Sequence, residues 1–543
     1  MDHQALAELL FPHITKTPRD WLAQYPKRQL PEGAKVTRFA PSPTGFLHLG
    51  NLYGAVTDER LAHQSGGVFY LRIEDTDAKR EVENAVPILL KTLAAYGIHF
   101  DEGVNDQGAY GPYRQSVRAE IYQTFAKQLV LDGKAYPCFC TEEELAAIRE
   151  EQIAEKATPG YYGRWAKWRD ADLDTVRRAL EKNPAFVLRF RSDGSTDRHF
   201  KFTDQIKGDI DITENDIDHV LLKSDGIPTY HFAHAVDDTL MGTTHVVRDE
   251  SWLSTLPFHL QLFRAIGSKP PKYCHTAQVM KLDNGNKRKL SKRKDPEFSV
   301  SFYQEKGYPT EGVLEYLMTL LNSNFEEWRL ANPDKAYTEF AFSLKKMSAS
   351  GCLFDIDKLN DICKNVVSRM TAQQVTQATL AWAEAYDPSF AQLLAKDNAY
   401  TEEIFSIGRG GAKPRKDLAI WSEAKAYMGF FFDELFTPDY SWSLPAIEVE
   451  RILTRYQELY SEQDDQSQWF EVIKALALEM GYAPETKLYK KDPDAYKGHV
   501  GDISMVLRIA VTGRQNSPDL WACMKILGRE RTLQRLAQAA SSL

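Results

Sequence analysis

Val36-Thr37-Arg38-Phe39-Ala40-Pro41-Ser42-Pro43-Thr44-Gly45-Phe46-Leu47-His48-Leu49-Gly50-Asn51, followed by Gly67-Val68-Phe69-Tyr70-Leu71-Arg72-Ile73, decides the fold. The first stretch starts as a β-type run, breaks at a Pro-Ser-Pro-Thr-Gly turn and enters a helix toward Leu61; the second reads as another strand. Strand, helix, strand is a βαβ unit with a right-handed connection and a parallel sheet. In such a sheet ligands bind at the carboxyl ends of the strands, where helix N-termini offer free N–H groups to phosphate. His48 and Asn51, three apart at a helix start, are expected to project from one face toward such a ligand. Gly50 lets it approach the backbone closely. Standing alone, His48-Leu49-Gly50-Asn51 reads more readily as a turn with a helix start.

Before this unit, residues 1–34 hold Pro12, Pro18, Pro26 and Pro31 and read as an N-terminal extension with one short helix, Gln4 to Leu10. After it, the α/β pattern of 35–100 gives way over 101–210 to an interrupting domain. Ser116 is expected to cap a helix carrying Ile121, Phe125 and Leu129, Thr141 to Glu144 has capping-box spacing, and Ala185 to Phe190 is β-type. The α/β pattern returns over 211–300, with strands at His219–Leu222 and Thr244–Arg248 around a helix from Tyr230 to Asp238. From 301 onward amphipathic helices dominate, as in Val313–Leu321, Val449–Tyr460 and Trp469–Met480. A nucleotide-binding sheet in two separated halves accounts for this order.

The run Lys287-Arg288-Lys289-Leu290-Ser291-Lys292-Arg293-Lys294 is too charged for a core and lies beside Asn284, Gly285 and Asn286. Ammonium groups on such a loop can neutralise triphosphate oxygens as charge shifts during attack at the α-phosphate. A solvated basic loop or an RNA-backbone contact fits the run as well.

Bulk properties bound these readings. A chain of 543 residues exceeds a single core. A net charge of −9 argues against nonspecific coating of nucleic acid while leaving room for a local basic track. Six scattered cysteines suit a reducing compartment rather than a disulfide framework. With no leader-like N-terminus and no membrane-length apolar run, a cytoplasmic location with no membrane contact is expected.

Taken together and in order, Arg38 to Asn51, Leu71-Arg-Ile-Glu-Asp-Thr-Asp77, Gly111-Pro-Tyr-Arg-Gln-Ser116 and Lys289-Leu-Ser-Lys-Arg293 resemble the glutamyl-tRNA synthetase family of class I aminoacyl-tRNA synthetases, bacterial type, from about residue 35 to the C-terminus. The resemblance implies a Rossmann-like α/β catalytic domain (35–100 and 211–300) with an inserted α+β acceptor-stem-binding domain (101–210). A stem-contact helical domain (301–370) and an all-α anticodon-binding half (371–543) would follow. It implies ATP-dependent activation of L-glutamate to glutamyl-adenylate and transfer to the 3′ end of tRNA(Glu) by a monomer, with tRNA(Gln) left open as a second acceptor. His48, Gly50, Asn51 and Lys292 would handle ATP and its Mg²⁺, with Lys289 supporting the same loop and His48, Asn51, Lys289 and Lys292 counted as catalytic. Arg38, Ser42, Glu74, Tyr230, His234 and Arg248 would form the glutamate pocket. Their chemistry agrees, since arginines hold carboxylates and Glu74 can hold the ammonium group.

Glutaminyl-tRNA synthetases have Glu and Asn where this chain has Ser42 and Thr44, and a β-barrel C-terminal half, so the resemblance favours glutamate. The long helical half disfavours a truncated tRNA-modifying relative and an RNA-free nucleotidyltransferase. A catalytically silent tRNA-binding protein would have no need of Lys292 or Glu74. Bacterial members that hold zinc use a Cys-x-Cys pair and a second ligand pair. Here Cys138-Phe139-Cys140 is followed only by Tyr162-Gly-Arg-Trp165-Ala-Lys167, so no structural zinc and no protein metal site are expected. Basic residues at Arg409–Lys416, Arg508 and Arg514 are candidate RNA contacts.

Overall fold

The protein is described from a computed structural model that covers residues 2–43, 45, 47–77, 82–104 and 108–543. Thr44, one of the two positions separating glutamate from glutamine enzymes in the family comparison, lies outside the described residues. The chain divides into two compact units, Met1–Ser301 with Leu317–Phe354, and Phe302–Tyr316 with Asp355–Leu543.

The first unit begins with two helices, α1 (His3–Leu10) and α2 (Pro18–Gln24), where one was expected. Pro18 sits at the first helical position, where its missing N–H costs nothing, and Thr17 and Asp20 close a capping box before it. The segment contributes to the core. Leu6, Leu10, Phe11, Ile14, Trp21 and Tyr25 are buried in one cluster with Tyr122, Phe125 and Leu129, and the Trp21 indole donates to Thr124 Oγ1 at 3.1 Å.

β1 (Val36–Phe39) pairs in parallel with β2 (Val68–Leu71), Val36 opposite Val68, and α3 (Leu49–His63) crosses between them, buried on most of its sides. α4 (Ala85–Ala95) follows. The helix expected to be capped by Ser116 starts later: a short 3₁₀ turn covers Gln115–Arg118, and α5 runs Ala119–Leu131. Ser116 instead gives its amide and hydroxyl to Asp75 at 2.8 and 2.7 Å, because a buried carboxylate is the stronger acceptor.

An antiparallel sheet then interrupts the parallel one. β3 (Ala135–Cys138), α6 (Glu142–Ala154), α7 (Leu173–Lys182), β4 (Val187–Phe190), the hairpin β5 (His199–Asp204) and β6 (Gly208–Thr213), and β7 (Val220–Leu222) follow in turn. Thr141 and Glu144 form the reciprocal cap of α6 at 3.2 and 2.9 Å. β7 was expected to reopen the parallel sheet; it pairs antiparallel with β4. An apolar three-residue run carries no signal of which sheet it joins.

The parallel pattern resumes after α8 (Tyr230–Leu240) with β8 (His245–Asp249) and, across α9 (Leu256–Ala265), β9 (Lys272–Thr276), again parallel. Thr244, just ahead of β8, ties the two halves: its amide donates to the Val36 carbonyl at 3.0 Å, and its hydroxyl accepts from the Val36 amide at 2.8 Å. β10 (Val279–Asp283) and β11 (Asn286–Lys289) form a hairpin, and β12 (Cys352–Leu353) adds to β10 in parallel. The first half of the basic run is therefore strand, not loop.

The second unit is almost wholly helical, around a core that includes Phe390, Trp421, Phe431, Tyr456, Trp469 and Leu507. Helices Ala446–Leu459, Gln466–Glu479, Val500–Thr512 and Leu520–Ser541 build much of it. Three of its candidate RNA contacts turn inward to cap backbone: Arg409 donates to Phe405 and Val367 carbonyls, Arg508 to those of Ser517 and Pro518, and Arg514 to that of Ala426. No helix among the described residues is long and apolar enough to cross a membrane.

Removing the Trp21 side chain should open a cavity beside α5 and strand Thr124. Trp21→Ala is expected to lower unfolding free energy by about 3–5 kcal/mol in chemical denaturation, whereas a solvated extension would show almost no change.

Candidate active site

At the carboxyl ends of β1, β2 and β8 lies a cavity of about 1130 Å³. Arg38, Ser42, His48, Gly50, Asn51, Glu74, Tyr230, Arg248 and Lys289, nine residues singled out from the sequence, line it. Two others do not. His234 sits behind Tyr230, one helical turn deeper and fully buried, and Lys292 lies on the exposed turn after Lys289.

His48 and Asn51 meet differently from the expectation. They cap α3 reciprocally: His48 Nδ1 accepts from the Asn51 amide at 3.2 Å, and Asn51 Oδ1 accepts from the His48 amide at 3.1 Å. Because Nδ1 is used as an acceptor, the proton of the neutral ring sits on Nε2. Burial, aided by the positive charge of Lys289, pushes the His48 pKa down to about 4, so the ring stays neutral near pH 7. Its face stacks on Phe298 at 4.7 Å. Gly50 has a local reason to be glycine as well: a Cβ there would stand 3.1 Å from His48 Nδ1 and crowd the cap.

The basic run is held by its own charges. Arg288 grips Asp295 with two hydrogen bonds of 2.6 and 2.8 Å and Asp283 with one of 2.6 Å, while the Ser291 amide donates to Asp295 at 2.9 Å. The Arg288 pair holds the Asp295 carboxyl well below the usual range. Leu290 is buried, which turns Lys289 onto the cavity.

The amino-acid side of the cavity rests on a buried ion network. Asp238 receives Arg72 Nη1 at 2.6 Å, lies 2.8 Å from His234 Nδ1, and pairs with Arg38 Nε at 3.5 Å. Burial alone would raise its pKa, but Arg72, His234 and Arg38 outweigh this and hold it well below the ordinary value. Glu74, bound by Arg72 Nη2 at 3.0 Å, is pushed up by burial, with Arg72 and Arg38 opposing. Arg72 and Glu74 thus form a buried ion pair. His234 accepts or donates at Nε2 to the Tyr273 hydroxyl at 2.9 Å, and burial lowers its pKa to about 4. Tyr230 stacks in parallel on His234 and packs against Trp252 at 4.4 Å, which makes it a wall.

Arg248 is the exception among these cations. It is buried and, among the described residues, forms no ion pair; Nε donates to His275 Nε2 at 2.9 Å, Nη1 lies 3.1 Å from His259 Nδ1, and Nη2 meets no hydrogen-bond partner there. A buried guanidinium nitrogen without an acceptor is costly unless a ligand supplies one. His275, His259 and Trp252 were not found from the sequence, since they lie on β9, α9 and the turn after β8 with no motif to mark them.

Near β3, Cys140 Sγ lies 3.5 Å from the Tyr161 hydroxyl, and Lys167 pairs with Glu144 beside it. Among the described residues no three His, Cys, Asp or Glu side chains gather as a metal-binding group.

Comparison with known proteins identifies the family. The family described as tRNA synthetases class I (E and Q), catalytic domain, matches residues 35–361, and an anticodon binding domain matches 494–540. A glutamate–tRNA ligase of Acetivibrio thermocellus is 54% identical, with 99% of each chain covered. One from Clostridium perfringens strain 13 is 49% identical, covering 99% of this chain and 100% of its own. A crystal structure of a glutamate tRNA ligase from Elizabethkingia meningosepticum in complex with its amino acid aligns with a TM-score of 0.76 at 28% identity, over 94% of this chain and 99% of that one. With a catalytic-domain match over more than half its length and relatives of this identity along nearly all of it, the chain belongs to the glutamate–tRNA ligase family of class I tRNA synthetases.

Proposed function

We infer that this chain activates L-glutamate with ATP, forming glutamyl-adenylate and pyrophosphate, and passes the glutamyl group to the 3′-terminal ribose of tRNA(Glu). The observation that carries the amino-acid side is the unpartnered Nη2 of buried Arg248, on the same cavity as His48 and Lys289. An anionic substrate side chain supplies the missing acceptor, and a neutral amide would leave the charge uncompensated.

Within this reading Arg38 and Arg248 take the carboxylates, Glu74 takes the ammonium group, and Ser42 and Tyr230 shape the wall. His234 acts at one remove, through Tyr230 and Asp238. Neutral His48, with its Nε2–H, donates to the triphosphate, while Asn51 and Gly50 preserve the cap that orients it. Lys289 and Lys292 neutralise charge as pyrophosphate leaves. Mg²⁺ enters with ATP as part of the substrate. The antiparallel insert would receive the acceptor stem, residues 301–370 the stem beyond it, and 371–543 the anticodon. A monomer suffices for this, and tRNA(Gln) is a second acceptor to be tested beside tRNA(Glu).

Purified enzyme should release pyrophosphate with glutamate and charge labelled glutamate onto tRNA(Glu); folded protein that charges no tRNA would overturn the reading. Lys292→Ala should slow adenylate formation about 100- to 1000-fold with tRNA affinity nearly unchanged. The ring signal of His48 should titrate near about 4 by NMR, because burial and Lys289 both oppose its protonation. Its charge change therefore leaves no inflection in activity around pH 6.5. Two thiols beside Tyr161 and Lys167 are too few anions for tetrahedral zinc, so metal analysis should find none bound stoichiometrically.

A further inference from the structure

Among the described residues, other buried arginines near the cavity are matched by carboxylates: Arg72 by Asp238 and Glu74, Arg118 by Asp237, Arg38 by Asp238. Arg248 is hydrogen-bonded by imidazoles, with its guanidinium 4.6 Å from the centroid of the Tyr273 ring. Each imidazole is in turn held from behind. His275 Nδ1 lies 2.7 Å from Asp204 Oδ2, with both side chains fully buried, and the His275 amide also donates to that carboxylate. Asp204 ends β5 and is anchored by the Ile206 and Lys207 amides, each at 2.9 Å. On the other side, His259 Nε2 lies 2.8 Å from His231 Nδ1.

These contacts dictate where the protons are. Asp204 can only accept, so His275 carries its proton on Nδ1 and offers the bare Nε2 to Arg248. Arg248 can only donate, so His259 offers bare Nδ1 and donates a hydrogen bond from Nε2–H to His231 Nδ1. Burial lowers the pKa of both His275 and His259, with Arg248 adding repulsion against a second positive charge. Neutral acceptors of this kind fix a guanidinium's plane without cancelling its charge, which a carboxylate at the same place would do.

We propose that His275, set in its acceptor tautomer by Asp204, and His259, backed by His231, are positioning residues that aim Arg248 and reserve its charge for the carboxylate of the substrate. This makes the pair determinants of the preference for an anionic over an amide side chain. The inference rests on the assignment of Arg248 to glutamate.

The test is steady-state pyrophosphate exchange by the full chain with tRNA present, reading KM for glutamate and for ATP separately. Losing a hydrogen bond to a charged group, His275→Leu should raise the glutamate KM about tenfold to a hundredfold with the ATP KM unchanged. His275→Gln, whose amide oxygen accepts from Nε, should recover most of the loss. Asp204→Asn, whose amide donates to Nδ1 and drives the proton onto Nε2, should weaken glutamate as well, and serves if His275→Leu does not fold. Because Lys lacks the Nε that His275 holds, adding His275→Leu to Arg248→Lys should cost little more than Arg248→Lys alone. A normal glutamate KM in folded His275→Leu or Asp204→Asn, or fully additive effects in the pair, would overturn the proposal while Arg248→Lys still impairs glutamate. A normal glutamate KM in Arg248→Lys would instead remove the pocket assignment beneath it.

Discussion

Two adjacent carboxylates, Asp237 and Asp238 on α8, hold the catalytic unit together from inside. Both are fully buried. Asp238 binds Arg72 from the end of β2 and Arg38 from β1, while Asp237 accepts from Arg118 Nε at 2.8 Å, Gln115 Nε2 at 2.9 Å and the Tyr122 hydroxyl at 2.8 Å. Neighbouring side chains on a helix diverge, so one aspartate faces the parallel sheet and the next faces the 3₁₀ turn and α5. The two halves of the catalytic region thus meet at a pair of charges.

Such a network gains little net stability over well-packed apolar groups, since desolvation offsets most of the attraction. What it supplies is placement. Removing any one member leaves its partners buried and uncompensated, which penalises every arrangement but one. The same network that positions Arg38 and Glu74 on the cavity therefore also specifies how α8 lies against β1 and β2. Arg248, across the cavity, follows the opposite rule: among the described residues its guanidinium is hydrogen-bonded by neutral imidazoles and meets no carboxylate.

The N-terminal segment shows how composition can mislead. Four prolines in its 34 residues suggest an extension with one short helix, yet Pro18 opens a second helix and Trp21 inserts beside Thr124. Proline restrains backbone without saying whether the neighbouring apolar side chains find a partner surface. The basic run misleads similarly. Its eight residues look like one solvated loop, but Arg288 is spent on Asp283 and Asp295, and buried Leu290 divides a strand from a turn.

Local chemistry is what the sequence determined by itself. The β-type runs beside a helix start, the polar residues at the strand ends and the basic segment near 290 were all legible, because they depend on neighbours within a few positions. Nine residues of the cavity lining, from Arg38 through Lys289, were named as well, those of the glutamate pocket through the family resemblance. The tertiary structure alone decided which sheet β7 joins, that His48 and Asn51 cap one another, that Ser116 serves Asp75, and that His234 stands behind the wall. It alone brought Asp204, His275, His259 and His231 around Arg248, from four separate elements. Those outcomes turn on which buried donor meets which buried acceptor across long stretches of chain, and no spacing along the chain records that.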